Sequence, residues 1–186
     1  MHDETVKLVL AYELASFLHE TWRAPRKRAD GSYSPSIKKS TDEEWIKEHN
    51  TDEVDVANTS FENLPSDWQK ENLEAAKVAI ELVYEKINNG RGVVVADLEK
   101  MGEVIHEEWL KRNTWVHNKL YGYSKLAVPF KELPRDEQDR HKAQIMPAAK
   151  LVREYFAGLV DIEELGKKYN VDTSGYFKTK SFKNEG

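Results

Sequence analysis

Cysteine is absent from this chain. That excludes a disulfide framework and any thiolate chemistry, and it makes the reducing cytoplasm the expected compartment. No apolar run approaches the roughly 20 residues that span a bilayer. The opening Met1-His2-Asp3-Glu4 has no basic region, and charge interrupts the apolar stretch that follows too early for a secretory signal. Positive charge is also in short supply: the formal net charge of -5 argues against bulk nucleic-acid binding, which needs several cations on one surface. Nor is there a G-x-S-x-G elbow, a phosphate-binding glycine loop or a G-x-G-x-x-G turn after a strand. No catalytic apparatus is legible, and no enzyme activity or cofactor is expected.

What is present is a repeat. His19-Glu20-Thr21-Trp22 followed by Phe61-Glu62-Asn63-Leu64-Pro65-Ser66-Asp67-Trp68-Gln69 returns as His106-Glu107-Glu108-Trp109 followed by Phe130-Lys131-Glu132-Leu133-Pro134-Arg135-Asp136-Glu137-Gln138. H-E-x-W and F-x-x-L-P-x-D-x-Q recurring in the same order imply two copies of one supersecondary unit. The copies differ between the two motifs. The stretch from His19 to Phe61 exceeds that from His106 to Phe130 by about 18 residues of charged sequence.

Periodicity predicts a mainly α protein. Val6, Leu10, Leu14 and Phe17 share a helix face that runs on through His19 and Trp22 and ends before Pro25. Arg23 to Lys39 is a basic loop. Thr41-Asp42-Glu43-Glu44 has the form of a capping box opening a short helix, and Ser66 with Gln69 has the same form after Pro65. The helix carrying Leu73, Ala76, Ile80, Val83 and Ile87 should stop at Asn88-Asn89-Gly90. Val93-Val94-Val95 is either a short strand or the approach to a helix bearing Leu98, Met101, Ile105, His106 and Trp109. A last long helix entering at Pro134 should bend or break at Pro147. A small helix at Asp161–Leu165 and a Lys-rich tail from Ser174 close the chain. The expected division is residues 1–90 for the first copy, 91–158 for the second and 159–186 for the appended helix and tail.

The repeat unit resembles the ryanodine-receptor repeat family. The resemblance rests on a helix ending in His-x-x-Trp, a loop with Trp115 and Tyr121-Gly122, then Val128-Pro129-Phe130 and Leu133 before a charged helix. The second copy matches from Leu98 to about residue 150. The first keeps His19, Trp22, Leu64 and Pro65, but its enlarged loop lacks the Trp and Tyr-Gly signature, with Gly31-Ser32-Tyr33 only a loose counterpart. The resemblance implies tandem, pseudo-two-fold helical repeats with short β-strands in the loops, and soluble relatives that take nucleotide-type ligands. It supplies no catalytic residue to carry over, and with no pore segment here it does not imply a channel.

The candidate binding residues follow from these motifs. His19 and Trp22, like His106 and Trp109, are three apart and share a helix face. Each imidazole either satisfies a backbone carbonyl under its loop or contacts a ribose or phosphate while the indole stacks on a base, an interaction worth about 1–3 kcal/mol. Arg23, Arg26 and Arg28 beside Trp22, and Arg112 beside Trp115 and Tyr121, offer guanidinium forks that match phosphate oxygens. The alternative is a solvated basic loop facing the acidic run from Asp42, whose exposed pairs contribute less than about 1 kcal/mol each. No metal is expected. Glu103-x-x-His106 has di-iron spacing, but its counterpart is Ser16-x-x-His19, and Arg23 and Leu110 stand where a zinc helix needs its second histidine. The expectation is a cytoplasmic, non-catalytic module that binds a small anionic, nucleotide-like ligand in a cleft between the copies. Its rival is a protein-interaction module using the same aromatic and arginine surface; neither a membrane nor bulk nucleic acid is an expected partner.

Overall fold

The computed structural model describes residues 2–118 and 124–174, and it is mainly α. The helices are α1 (His2–Arg23), α2 (Glu43–His49), α3 (Ser66–Asn88), α4 (Asp97–Arg112), α5 (Arg135–Lys142), α6 (Ile145–Phe156) and α7 (Ile162–Lys168). Two short strands, β1 (Ile37–Lys39) and β2 (Glu53–Asp55), pair antiparallel inside the first loop, with Lys38 opposite Val54. The chain divides into two compact units, Met1–Glu74 with Ile162–Gly186, and Ala75–Asp161, so the division falls inside α3.

The first unit is organised by α1. Val6, Val9, Leu10, Leu14 and Ala15 are buried at the 3–4 spacing of one helix face, together with Val54, Val56, Phe61 and Leu64 from the loop. The appended helix α7 packs on α1. The Glu13 carboxylate accepts from Tyr169 Oη (2.6 Å) and Lys168 Nζ (3.0 Å), and Tyr169 stacks on Tyr12 with ring centroids 5.4 Å apart.

The starts of α2 and α3 are tied to each other by two aspartates, which corrects both expected capping boxes. Asp42, not Thr41, caps α2: its Oδ1 accepts the Trp45 N–H (3.0 Å), and its Oδ2 accepts the Ser66 N–H (2.8 Å) at the start of α3. Asp67 returns the tie by accepting from the Thr41 N–H (2.7 Å) and the Ser40 hydroxyl (2.8 Å). Gln69 is free of capping duty and donates instead to the Leu64 and Glu62 carbonyls, at 2.8 and 3.1 Å.

In the second unit the core comprises Ala76, Ala79, Ile80, Val83, Met101, Ile105, Phe130, Leu133, Ile145, Ala149 and Val152. The α3 stop is as expected: Gly90 has φ +71°, with Arg91 N–H to the Lys86 carbonyl (3.0 Å) and Gly90 N–H to that of Ile87 (2.9 Å). Val93-Val94-Val95 is not a strand but the approach to α4, held by Asp97, which accepts the Val94 N–H (2.8 Å) and pairs with Lys86. The expected break near Pro147 falls just ahead of it, between α5 and α6. Pro147 therefore occupies the first turn of α6, where an amide hydrogen has no intrahelical acceptor to lose.

Two outcomes test this account. A Cβ added at Gly102 would lie 2.8 Å from the buried Phe130 ring, so the overpacking cost of about 1–3 kcal/mol should exceed the helix-propensity gain of up to ~1 kcal/mol, and Gly102→Ala should lower stability in urea melts. The backbone amides of Trp45 and Ser66 hold the Asp42 carboxyl down at about 2, so its contribution is present above pH ~3.8 and lost as pH falls toward 2. Asp42→Ala should thus lower the melting temperature at pH 7 by more than it does at pH 2.

Candidate functional site

Both His-x-x-Trp helix ends make the same local arrangement. His19, at the end of α1, is 6% exposed and its Nε2 lies 2.9 Å from the Thr59 carbonyl. His106, on α4, is 1% exposed with Nε2 2.8 Å from the Val128 carbonyl. A carbonyl can only accept, so each Nε2 carries the proton. Trp22 stacks on His19 at 5.8 Å and Trp109 on His106 at 6.0 Å, while Phe61 and Phe130 tilt against the same imidazoles at 6.5 and 6.3 Å. Gln138 repeats the bond of Gln69, donating to the Leu133 carbonyl at 2.9 Å. The histidines therefore have the carbonyl-satisfying role, each fastening a loop under its helix.

The surroundings of the two indoles differ. In the first unit the Arg26 guanidinium lies 4.0 Å over the Trp22 ring, and its Nη1 donates to the Trp22 carbonyl at 2.6 Å. Trp22 thus has both His19 and Arg26 against its ring. Arg23 is buried over the Tyr33 ring at 4.1 Å and paired with Glu20 at 3.0 Å, and its Nε has no hydrogen-bond partner among the described residues. Arg28 is turned to the loop, its Nε 3.4 Å from Ser34 Oγ. The structure therefore brings His19, Trp22, Arg23 and Arg26 together, with the guanidiniums of Arg23 and Arg26 engaged by aromatic rings.

In the second unit Asn113 occupies the place of Arg26, four residues after the tryptophan. Its Nδ2 donates to the Trp109 carbonyl at 3.0 Å, the same bond in a side chain too short to cover the ring. Trp115, its Nε1 bonded to Asn113 Oδ1 at 2.9 Å, meets Trp109 edge-on at 6.4 Å. Tyr121 lies outside the described residues. Beside Trp109 is a concavity of about 430 Å³, lined among others by His106, Arg112, Lys125, Glu137, Arg140, His141 and Gln144. Three cations against one carboxylate make it electropositive, and a planar aromatic forms part of its wall.

His141, Arg140, Lys125 and Asn113 were not singled out from sequence. Aligning the copies on F-x-x-L-P would have flagged the first two, because Arg140-His141 stand where the first copy has Glu71-Asn72. His141 Nε2 is 3.1 Å from His106 Nδ1. Since His106 carries its proton on Nε2, its Nδ1 accepts and His141 donates. Burial, the neighbouring His106 and then Arg140 push the His141 imidazole down to about 4. Among the described residues no group of three or more His, Asp or Glu is placed to hold a metal, and no helix is long and apolar enough to cross a membrane.

No protein-family model, curated protein or solved structure matches the chain.

Because the folded state keeps His141 neutral, lowering the pH protonates this residue in the unfolded chain first. Its share of stability is intact above pH ~6.5 and declines until about pH 4. His141→Asn retains a donor for His106 but cannot titrate, so urea melts of the variant should show a shallower loss of stability than the wild type between pH 6.5 and 4.

Proposed function

We propose that this protein is a non-catalytic, cytoplasmic binding module of tandem ryanodine-receptor-repeat type that recognises a small anionic, nucleotide-like ligand in the concavity beside Trp109. The observation that carries the reading is the conjunction, within one pocket of the second unit, of an indole with three cationic side chains, Arg112, Lys125 and Arg140. A nucleotide needs both surfaces. A base stacked on the indole contributes about 1–3 kcal/mol, and guanidinium forks bind phosphate oxygens through charge-assisted pairs. The first unit lacks this combination, having Pro25 and Glu71 where the second has Arg112 and Arg140. The duplicated imidazole–carbonyl bonds support the tandem-repeat part of the reading. The non-catalytic part rests on His106, whose two ring nitrogens are both committed to protein partners.

A second reading, a protein-interaction module, is favoured by the exposed indoles of Trp22 (38%) and Trp115 (44%), the former stacked with an arginine. Tryptophan and arginine dominate interface hot spots.

A thermal-shift screen against adenine and guanine nucleotides, cyclic dinucleotides and ADP-ribose separates the two. A ligand present at about 100 times its Kd adds roughly 2.7 kcal/mol to stability, and Trp109→Ala and Arg140→Ala should each remove the shift. No shift with any of these compounds, or one that survives both substitutions, sinks the ligand reading.

A further inference from the structure

We infer that His141 is a ligand contact of the pocket beside Trp109, and that an anion bound there draws a proton onto the uncommitted nitrogen of this imidazole, so that binding is coupled to proton uptake. This rests on the anion-binding part of the reading above and adds to it the contacting group and its dependence on pH.

Hydrogen bonding fixes what each imidazole of the pocket can offer. His106 has both nitrogens committed, its Nε2–H to the Val128 carbonyl at 2.8 Å and its Nδ1 to the N–H of His141 at 3.1 Å. His141 therefore carries its proton on Nε2 and a lone pair on Nδ1, and among the described residues that lone pair has no hydrogen-bond partner. The ring itself forms part of the pocket wall. An imidazole with one nitrogen uncommitted takes up a proton without breaking a bond: the imidazolium still donates to His106 through Nε2 and gains a second donor at Nδ1. His106 has no such freedom, since a proton on its Nδ1 would meet the N–H of His141.

The charged groups around the ring decide when the proton is taken up. α4 contributes His106 and Arg112 to the lining, α5 contributes Glu137 and Arg140, and the turn Ser124–Leu126 contributes Lys125. α3 and the start of α6 add no charged group to it. Glu137 is held 2.9 Å from Arg140, and Lys142, next along α5, is turned to Glu99 and Asp139 at 2.8 and 3.1 Å. Lys125 has no ion-pair partner among the described residues. Burial first, then the neighbouring His106 and Arg140, keep His141 neutral, down at about 4. A bound anion reverses the balance, because the negative charge that pairs with Arg140 and Lys125 also favours the imidazolium. One proton passes from solvent to Nδ1, and the new N–H donates to an oxygen of the anion. Affinity then rises as pH falls through the interval between the bound and free midpoints of His141. In the first unit Asn72 stands in this place and cannot titrate.

Sulfate is the probe, because it stays a dianion between about pH 5 and 8, whereas a phosphate monoester gains a proton near pH ~6. In an NMR titration of the full chain, the ring resonances of His141, assigned with His141→Asn, should have a midpoint of about 4 without sulfate and one about two pH units higher in saturating sulfate, as an opposite charge at close range produces. Calorimetry should show sulfate affinity rising roughly tenfold between about pH 7 and 5, with one proton linked, and His141→Asn should abolish that rise. Asparagine is already the first unit's residue at this position, and the wild-type NMR measurement depends on no variant. A His141 midpoint unmoved by saturating sulfate overturns the inference and leaves the ligand reading standing, as does an undiminished rise in His141→Asn. Sulfate bound at no pH in the range overturns the inference together with the anion-binding part of that reading. Sulfate bound with proton uptake, but no nucleotide bound, upholds the inference and removes only the nucleotide.

Discussion

A buried imidazole N–H held by one main-chain carbonyl is the constraint on which each half of this protein depends. His19 reaches Thr59 and His106 reaches Val128, in both cases joining the end of a long helix to chain 22 or more positions away. The bond itself contributes about 1 kcal/mol, but an orphaned imidazole at these depths would cost about 1–3 kcal/mol. The loop is therefore compelled to present a carbonyl there. Phe61 and Phe130 then seal the imidazoles from one side, and the tryptophans cover them from another.

Once the histidines are consumed in this way, the chemistry left over lies in the groups around them, where the two halves part company. In the first, arginines turn inward onto aromatic rings: Arg23 onto Tyr33 and Arg26 onto Trp22. Two arginines of a basic run that looks available for anions are spent on cation–π contacts, worth about 0.5–2 kcal/mol each depending on exposure. In the second, Arg112, Lys125 and Arg140 border a concavity.

The His106–His141 pair sits at the floor of that difference. Its hydrogen-bond polarity follows from the carbonyl at one end, which assigns the proton on His106 and so makes His141 the donor. The neutral state of His141 is a consequence of burial among cations more than of any single neighbour. The first copy has Asn72 at this place, a residue without a titration.

Helix content, the α3 stop at Gly90, the separate helix after Gly158 and the duplicated motif were all legible along the chain, because 3.6-residue periodicity and φ-positive glycines act within a few residues of themselves. The role of the histidines was legible as one of two alternatives. The caps were not: Thr41-x-x-Glu44 and Ser66-x-x-Gln69 satisfy the local pattern, yet Asp42 and Asp67 win by bridging helix starts that meet only in the folded chain. The same holds for the site. That Arg26 would lie on Trp22, that Arg140 and His141 would face Trp109's pocket, and that Asn113 would stop short of the ring depend on how the backbone leaves each helix and on partners tens of residues distant. Local sequence determines which groups are available; only tertiary packing decides which of them are already used.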